Sequence, residues 1–189
     1  MKNIKQIVKI IRKQVIKEFK SSPKRAWVID SHLLVVEKFV NQLCKLYPKA
    51  DKEVILLAVW FHDIGRIRKK NKDHDLYGAK EAKKILSQYN LPKEKIKFVY
   101  KACRAHCCKN IKPKSLEAKI LATADAMSHL TNGFYLRLFF EKRFGENFED
   151  NKKTVLKKLE RDFNDKILLP KAKKIIEPLY EAWKKILND

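Results

Sequence analysis

His62 and Asp63 stand side by side at the end of an apolar run, Val54-Ile55-Leu56-Leu57-Ala58-Val59-Trp60-Phe61. Such a run belongs in a protein interior. A carboxylate carried inside with it needs a partner or a metal, because an isolated buried charge is too costly to keep. The pair is therefore a candidate site. The remaining histidines are His32 upstream and His74, His106 and His129 downstream. Asp125 sits in Ala122-Thr123-Ala124-Asp125-Ala126, a lone acid among small residues where close helix packing is expected. The alternative for Asp125 is an exposed helix acid, and for any one histidine a hydrogen-bonded core residue.

The stretch His62-Asp63-Ile64-Gly65-Arg66 resembles the signature of the HD-domain phosphohydrolase superfamily. That family orders its ligands as His, then His-Asp, then Asp, an order met here by His32, His62, Asp63 and Asp125. Its dinuclear members carry extra histidines between the pair and the last Asp, the interval that holds His74 and His106. The resemblance runs from about Trp27 to Leu130. It implies an all-α helical bundle of the HD type, bound divalent metal, and nucleotides or related small phosphates as substrates. The Gly-Tyr-Pro motif of the cyclic-dinucleotide phosphodiesterases is missing. Tyr77-Gly78-Ala79 stands in its neighbourhood and lowers the case for cyclic dinucleotides.

Two imidazoles and two carboxylates form a mixed N/O set. It suits Mn, Fe, Co, Ni or Zn, with Mg if oxygen dominates. Neighbours on a helix point about 100° apart, so His62 and Asp63 reach one ion only if it lies beside the helix end. Asp63, with two oxygens, is placed to bridge two ions. His74 and His106 then either hold the second ion or hydrogen-bond a phosphate at the edge of a one-ion site. Metal-activated water near Asp63 reads as hydrolysis of a phosphomonoester or phosphodiester.

Arg66, three residues on, would meet the phosphate with its forked guanidinium. The alternative is a solvated charge at a helix end. Lys109 is a second candidate for substrate contact. His129, one turn after Asp125, is either a further substrate or support contact or an ordinary helix histidine. Cys103, Cys107 and Cys108 flank His106, but the Cys107-Cys108 adjacency is poor spacing for a structural zinc site, and packing is the preferred reading.

These residues need helices to position them. With 189 residues, four glycines and six prolines, the chain reads as one all-α domain spanning 1–189. The core of the site falls at about 27–130, a basic amphipathic helix at 1–22 and further helices at 134–189. Ile4, Ile7, Val8, Ile11, Val15 and Phe19 make one apolar stripe, opposite a face rich in Lys and Arg. That helix either packs on the domain or touches anionic lipid or RNA. Asp30 or Ser31 is a candidate cap before His32, Asp51 caps the helix leading to His62, Gly65 stops it, and Ser115 caps the helix carrying Asp125. A basic loop runs from Arg66 to Asn71, a helix from about Leu76 to Gln88, and another from Pro92 to His106.

No run is long enough to span a bilayer, and no signal-like block opens the chain, which leads to a cytoplasmic expectation and free thiols. The net charge of +22 fits lysines that fill solvated helix faces, and it also supports attraction of an anionic partner without naming one. A small phosphorylated substrate is the first reading, and nucleic acid on the basic surface is another. Two rivals to hydrolysis follow. One is a dinuclear iron oxygenase with this ligand order. The other is a non-catalytic metal-stabilised bundle that binds RNA or a protein.

Overall fold

The computed structural model describes residues 3–68, 72–131, 133–141 and 147–188. Lys69, Lys70 and Asn71 of the expected basic loop, and Gly145, lie outside them. Among the described residues the structure is helical, with no strand. The first helix, α1 (Ile4–Lys20), opens on a reciprocal cap between Asn3 and Gln6. Its stripe of Ile7, Val8, Ile11, Val15 and Phe19 is buried against α3 (Lys52–Phe61). That apolar face is occupied by the protein's own core, so the packed-helix alternative holds. Arg12, on the other side, pairs with Glu37 at 3.1 Å.

Asp51 caps α3 as expected, accepting from the Val54 N–H. This helix is apolar all round and, from Val54 to Phe61, is buried at every position but the partly buried Leu56. It is the central post of the bundle. Helix α2 (Leu34–Leu46) and α7 (Leu116–Leu130) flank it, with α5 (His74–Leu86) and α6 (Lys93–Ala105) on the far side. Ser115 caps α7 through the Ala118 N–H. The C-terminal helices, α9 (Phe148–Arg161) and α10 (Pro170–Asn188), pack on one another and α10 also on α7, where Trp183 donates to the Leu130 carbonyl at 2.8 Å. A short aromatic helix, α8 (Phe134–Phe140), follows Gly133, whose left-handed φ of 69° suits a residue without Cβ. No helix among the described residues is long and apolar enough to cross a membrane.

Three local expectations are corrected. Asp30 and Ser31 do not cap a helix; both lie inside a π-helical turn, Ile29–Leu33, that leads directly into α2. Gly65 does not simply end α3. It sits within a single turn, α4 (Ile64–Ile67), where a Cβ would lie 2.7 Å from the His74 Cα. Helix α5 begins at His74 rather than Leu76, held close by a second glycine. A Cβ on Gly78 would stand 2.4 Å from the Phe61 carbonyl oxygen. The two glycines let the start of α5 press against the end of α3, which brings His74 to Asp63.

Candidate metal centre

The end of α3 sets the geometry. His62 is the capping residue, still helical, while Asp63 leaves the helix at φ −108°, ψ 8°, in the sparsely used bridge region. The two side chains thereby turn toward a common point. His32 reaches it from the π turn, Asp125 from the middle of α7. The His32 Nε2 lies 3.3 Å from the His62 Nε2, 3.5 Å from an Asp63 oxygen and 3.4 Å from an Asp125 oxygen. His62 Nε2 is 3.7 Å from the same Asp125 oxygen and 4.0 Å from that of Asp63. Four donors bound at about 2.0–2.2 Å around one ion must stand roughly 3–4 Å apart. The set therefore fits a divalent cation.

The support of each ring points the same way. His32 Nδ1 bonds Ser128 Oγ at 2.8 Å, and that hydroxyl donates to the Asp125 carbonyl. With its proton spent there, Ser128 accepts, so Nδ1 of His32 is the protonated nitrogen. His62 Nδ1 donates to the Val59 carbonyl at 2.8 Å and His106 Nδ1 to that of Cys103 at 2.6 Å. Each ring so fixed presents the Nε2 lone pair inward, as metal-binding histidines do.

His74 and His106 converge on the other oxygen of Asp63. Their Nε2 atoms lie 3.4 and 3.7 Å from Asp63 Oδ1. Arg66 is there as well: its Nε donates to Asp63 Oδ1 at 2.8 Å, and a terminal nitrogen meets His74 Nε2 at 3.0 Å. Its side chain is half-exposed along the cavity wall. Lys109 and His129 line the same cavity. The structure thus brings together the residues singled out from the sequence.

Several neighbours escaped the sequence reading. Cys107, taken there as packing, places its sulfur 3.3 Å from both His74 Nε2 and His106 Nε2. Cys103 and Cys108 are buried, and Cys103 contacts the Ala58 carbonyl as a packing residue would. Behind Asp125 stands Lys166, itself buried, with Nζ 2.6 Å from the second Asp125 oxygen. It comes from another π turn, Asp162–Lys166, at the end of α9. Asp162 of that turn accepts from the Tyr135 hydroxyl at 2.7 Å and Lys158 at 2.8 Å, and bonds His129 Nδ1 at 2.8 Å. Lys158, Asp162 and Lys166 recur at one polar residue per turn, on the face that also carries Val155, Leu159 and Phe163.

Charge is arranged to keep the carboxylates ionised. Burial alone would raise Asp63, but Arg66 and His62 reverse it and hold it well below the usual range. For Asp125 burial is likewise overcome, here by Lys166 and His129. His62 is pulled down by burial yet ends raised, through Asp63 and Asp125. His106 falls well below its ordinary value through burial and the neighbouring His62. His129 is lowered from 6.5 to about 3 by burial and Lys158. Burial pushes the Cys107 thiol up to about 12.

The lowered histidines have a consequence for stability without metal. Below pH 6.5 the unfolded chain protonates His106 and His129 while the folded chain does not. Stability present above pH 6.5 is therefore lost as the pH falls toward 3. His62, raised in the fold, opposes this loss above pH 6.5 and adds nothing further below it, where both states carry its proton. Denaturant unfolding of metal-stripped protein should give a lower midpoint at pH 5 than at pH 6.5, and His129→Gln should shrink the difference. An unchanged midpoint would show that these rings are protonated in the folded chain.

A profile of the HD domain matches residues 29–130, more than half of the chain. The chain belongs to the HD domain family. Curated relatives include bifunctional uridylyltransferase/uridylyl-removing enzymes. That of Vibrio campbellii is 27% identical over 106 residues, covering 49% of this chain and 12% of the relative. That of Vibrio vulnificus is 28% identical over 106 residues, with the same coverage. The chain thus spans about an eighth of the length of these relatives. Among solved structures, a predicted HD superfamily hydrolase from an uncultured Thermotogales bacterium aligns with a TM-score of 0.66 at 21% identity. It covers 95% of this chain and 88% of its own, so the C-terminal helices share in the likeness of fold.

Proposed function

We propose that this HD-domain protein is a metal-dependent phosphohydrolase acting on a nucleotide or a similar small phosphate ester. The observation that carries the reading is the wall of the cavity onto which the donor cluster opens. The cavity holds about 330 Å³ and is lined by Lys24, Arg25, Arg66, Lys109, Lys158, Arg161 and Lys166, against Asp63 and Asp125. A unit charge pair at about 4 Å and an effective dielectric of about 20 is worth on the order of 4 kcal/mol. Such a wall selects anions and disfavours neutral or cationic ligands.

A divalent ion on His32, His62, Asp63 and Asp125 would supply an activated water and an electrophile for a phosphoryl oxygen. The chain's residues do the rest. Arg66 and Lys158 face the same space and can balance the charge that grows on the phosphoryl oxygens. Lys166 holds one oxygen of Asp125, leaving the other directed at the donor cluster. Trp27 and Phe134, with ring centroids 6.0 Å apart, form an apolar side to the cavity that suits a base. The uridylyl-removing relatives support a nucleotide, since removal of a uridylyl group acts at a nucleotide phosphate.

The test is release of phosphate or nucleoside monophosphate across a panel of nucleotides and a generic phosphodiester, with each candidate divalent ion. Turnover should persist without oxygen. Dioxygen consumption with reduced iron, and no hydrolysis, would favour the oxygenase instead. Arg66→Ala should keep the ion content and slow hydrolysis by roughly ten- to a hundredfold, the worth of one charge-assisted hydrogen bond. Arg66→Lys should recover part of that. Undiminished hydrolysis in Arg66→Ala would leave the phosphate to Lys158 and Lys109.

A further inference from the structure

We infer that Cys107 is a ligand, so that the second position of this centre is a thiolate site for a thiophilic divalent ion such as Zn, Co or Fe. The inference rests on the metal reading of the site and is independent of the reaction assigned to it.

The argument starts from lone pairs. Arg66 has only donors, so His74 Nε2, 3.0 Å from its guanidinium, must be an acceptor. His106 Nδ1 sits 2.6 Å from the Cys103 carbonyl, so its Nε2 is an acceptor too. Both acceptors face one sulfur, each at 3.3 Å. Without metal the one thiol proton can serve His106 while Arg66 serves His74, so an ion would displace both donors and take the lone pairs they occupy. Asp63 Oδ1 adds a third acceptor, 3.4 Å from His74 Nε2 and 3.7 Å from His106 Nε2. Four lone-pair atoms thus face each other with a cation, the Arg66 guanidinium, at their open side.

A tetrahedral ion with nitrogen and oxygen at about 2.0–2.2 Å and sulfur at about 2.3 Å sets its donors roughly 3.4–3.6 Å apart. The spacings of His74 and His106 to the Cys107 sulfur and to the Asp63 oxygen, 3.3 to 3.7 Å, approximate that, and the donor atoms of His74, His106 and Cys107 all lie within 4.8 Å of one another. The arrangement reads as a His-His-Cys-Asp site in which Asp63 is shared with the first ion. Cys107 reaches it because α6 ends at Ala105, with His106 as its cap, and the chain turns sharply through Cys108, a non-glycine residue with φ +54°. Sulfur also sharpens the choice of metal. A thiolate disfavours Mg and Mn and favours softer ions. Arg66 must leave Asp63 and His74 when this ion arrives, and its half-exposed side chain has the cavity to move into.

The experiment is anaerobic titration of metal-stripped, full-length protein with Co(II), followed by absorption. Two equivalents should bind, and a sulfur-to-cobalt charge-transfer band in the near ultraviolet should grow with one of them. Cys107→Ser should abolish the band and weaken that equivalent by roughly tenfold or more, while the other still binds. Cys108→Ser should keep the band, which controls for general damage near the helix end. Two equivalents with no charge-transfer band would overturn the thiolate and leave a His-Asp second site. One equivalent with no band would return Cys107 to packing. Failure to bind any cobalt would overturn the metal reading of the whole site, a result distinct from both.

Discussion

Asp63→Ala should strip the protein of metal and reduce hydrolysis by on the order of a thousandfold or more. Asp63 directs one oxygen at His32 and His62 and the other at His74 and His106. The other carboxylate of the described cluster, Asp125, meets His32, His62, His129 and Lys166, so Asp63 is the one with contacts on both sides. Its loss removes a donor from each and the negative charge that offsets the incoming cation. A metal ion contributes several kcal/mol to the stabilisation of developing charge, and each 1.36 kcal/mol is tenfold in rate. The comparison that isolates the effect is with His74→Ala. That variant deprives only the second set, so about half of the bound metal should remain. Elemental analysis of the purified variants, with circular dichroism to show that they fold, decides the matter. Full metal content in Asp63→Ala would remove the basis for placing ions here.

Lys166→Met should cost the metal-free protein about 3–5 kcal/mol, the usual penalty for breaking a buried ion pair by removing one partner. For a chain of this size that corresponds to a fall in melting temperature of roughly 6–20 °C. Lys166 lies 2.6 Å from Asp125 and 3.7 Å from Asp162, with almost no exposure. Asp162 keeps Lys158, His129 and Tyr135 in the variant, but Asp125 loses its one close lysine. A divalent ion on the other oxygen of Asp125 compensates part of that loss. Added metal should therefore stabilise Lys166→Met by more than it stabilises the parent, as thermal unfolding with and without ion will show. Equal metal-induced shifts would mean that Asp125 does not share its charge between lysine and ion.

The pair at 62–63 was legible because a carboxylate ending a fully apolar helix has few physical explanations. The caps at Asp51 and Ser115 were legible for the same kind of local reason, as was the stripe of α1. His32 depended on chain order, since nothing nearby in sequence marks it, and Asp125 on chain order together with the small residues around it. Lys158, Asp162 and Lys166 repeat every fourth residue, yet with 44 Lys and Arg in the chain a lysine on a helix is a poor signal of burial. Cys107 was read as packing because of its adjacency to Cys108. Adjacency governs sites built from sequence neighbours, whereas this sulfur meets a histidine 33 residues away. The start of α5 was missed because Asp73 makes no side-chain cap and the close approach through Gly65 and Gly78 is a tertiary fact.

Both π turns carry polar residues of the centre: His32 in the first, Asp162 and Lys166 in the second. A π turn closes its hydrogen bond over one residue more than an α turn, as from the Leu34 N–H to the Ile29 carbonyl and from the Ile167 N–H to the Asp162 carbonyl. The second turn closes α9 just before the non-helical residues 167–169, whereas the first runs straight on into α2. Deleting one residue from the first turn would restore α-helical bonding there and swing His32 off the point it shares with Asp63 and Asp125, so the aim of that ring is set by the length of the turn as much as by its sequence.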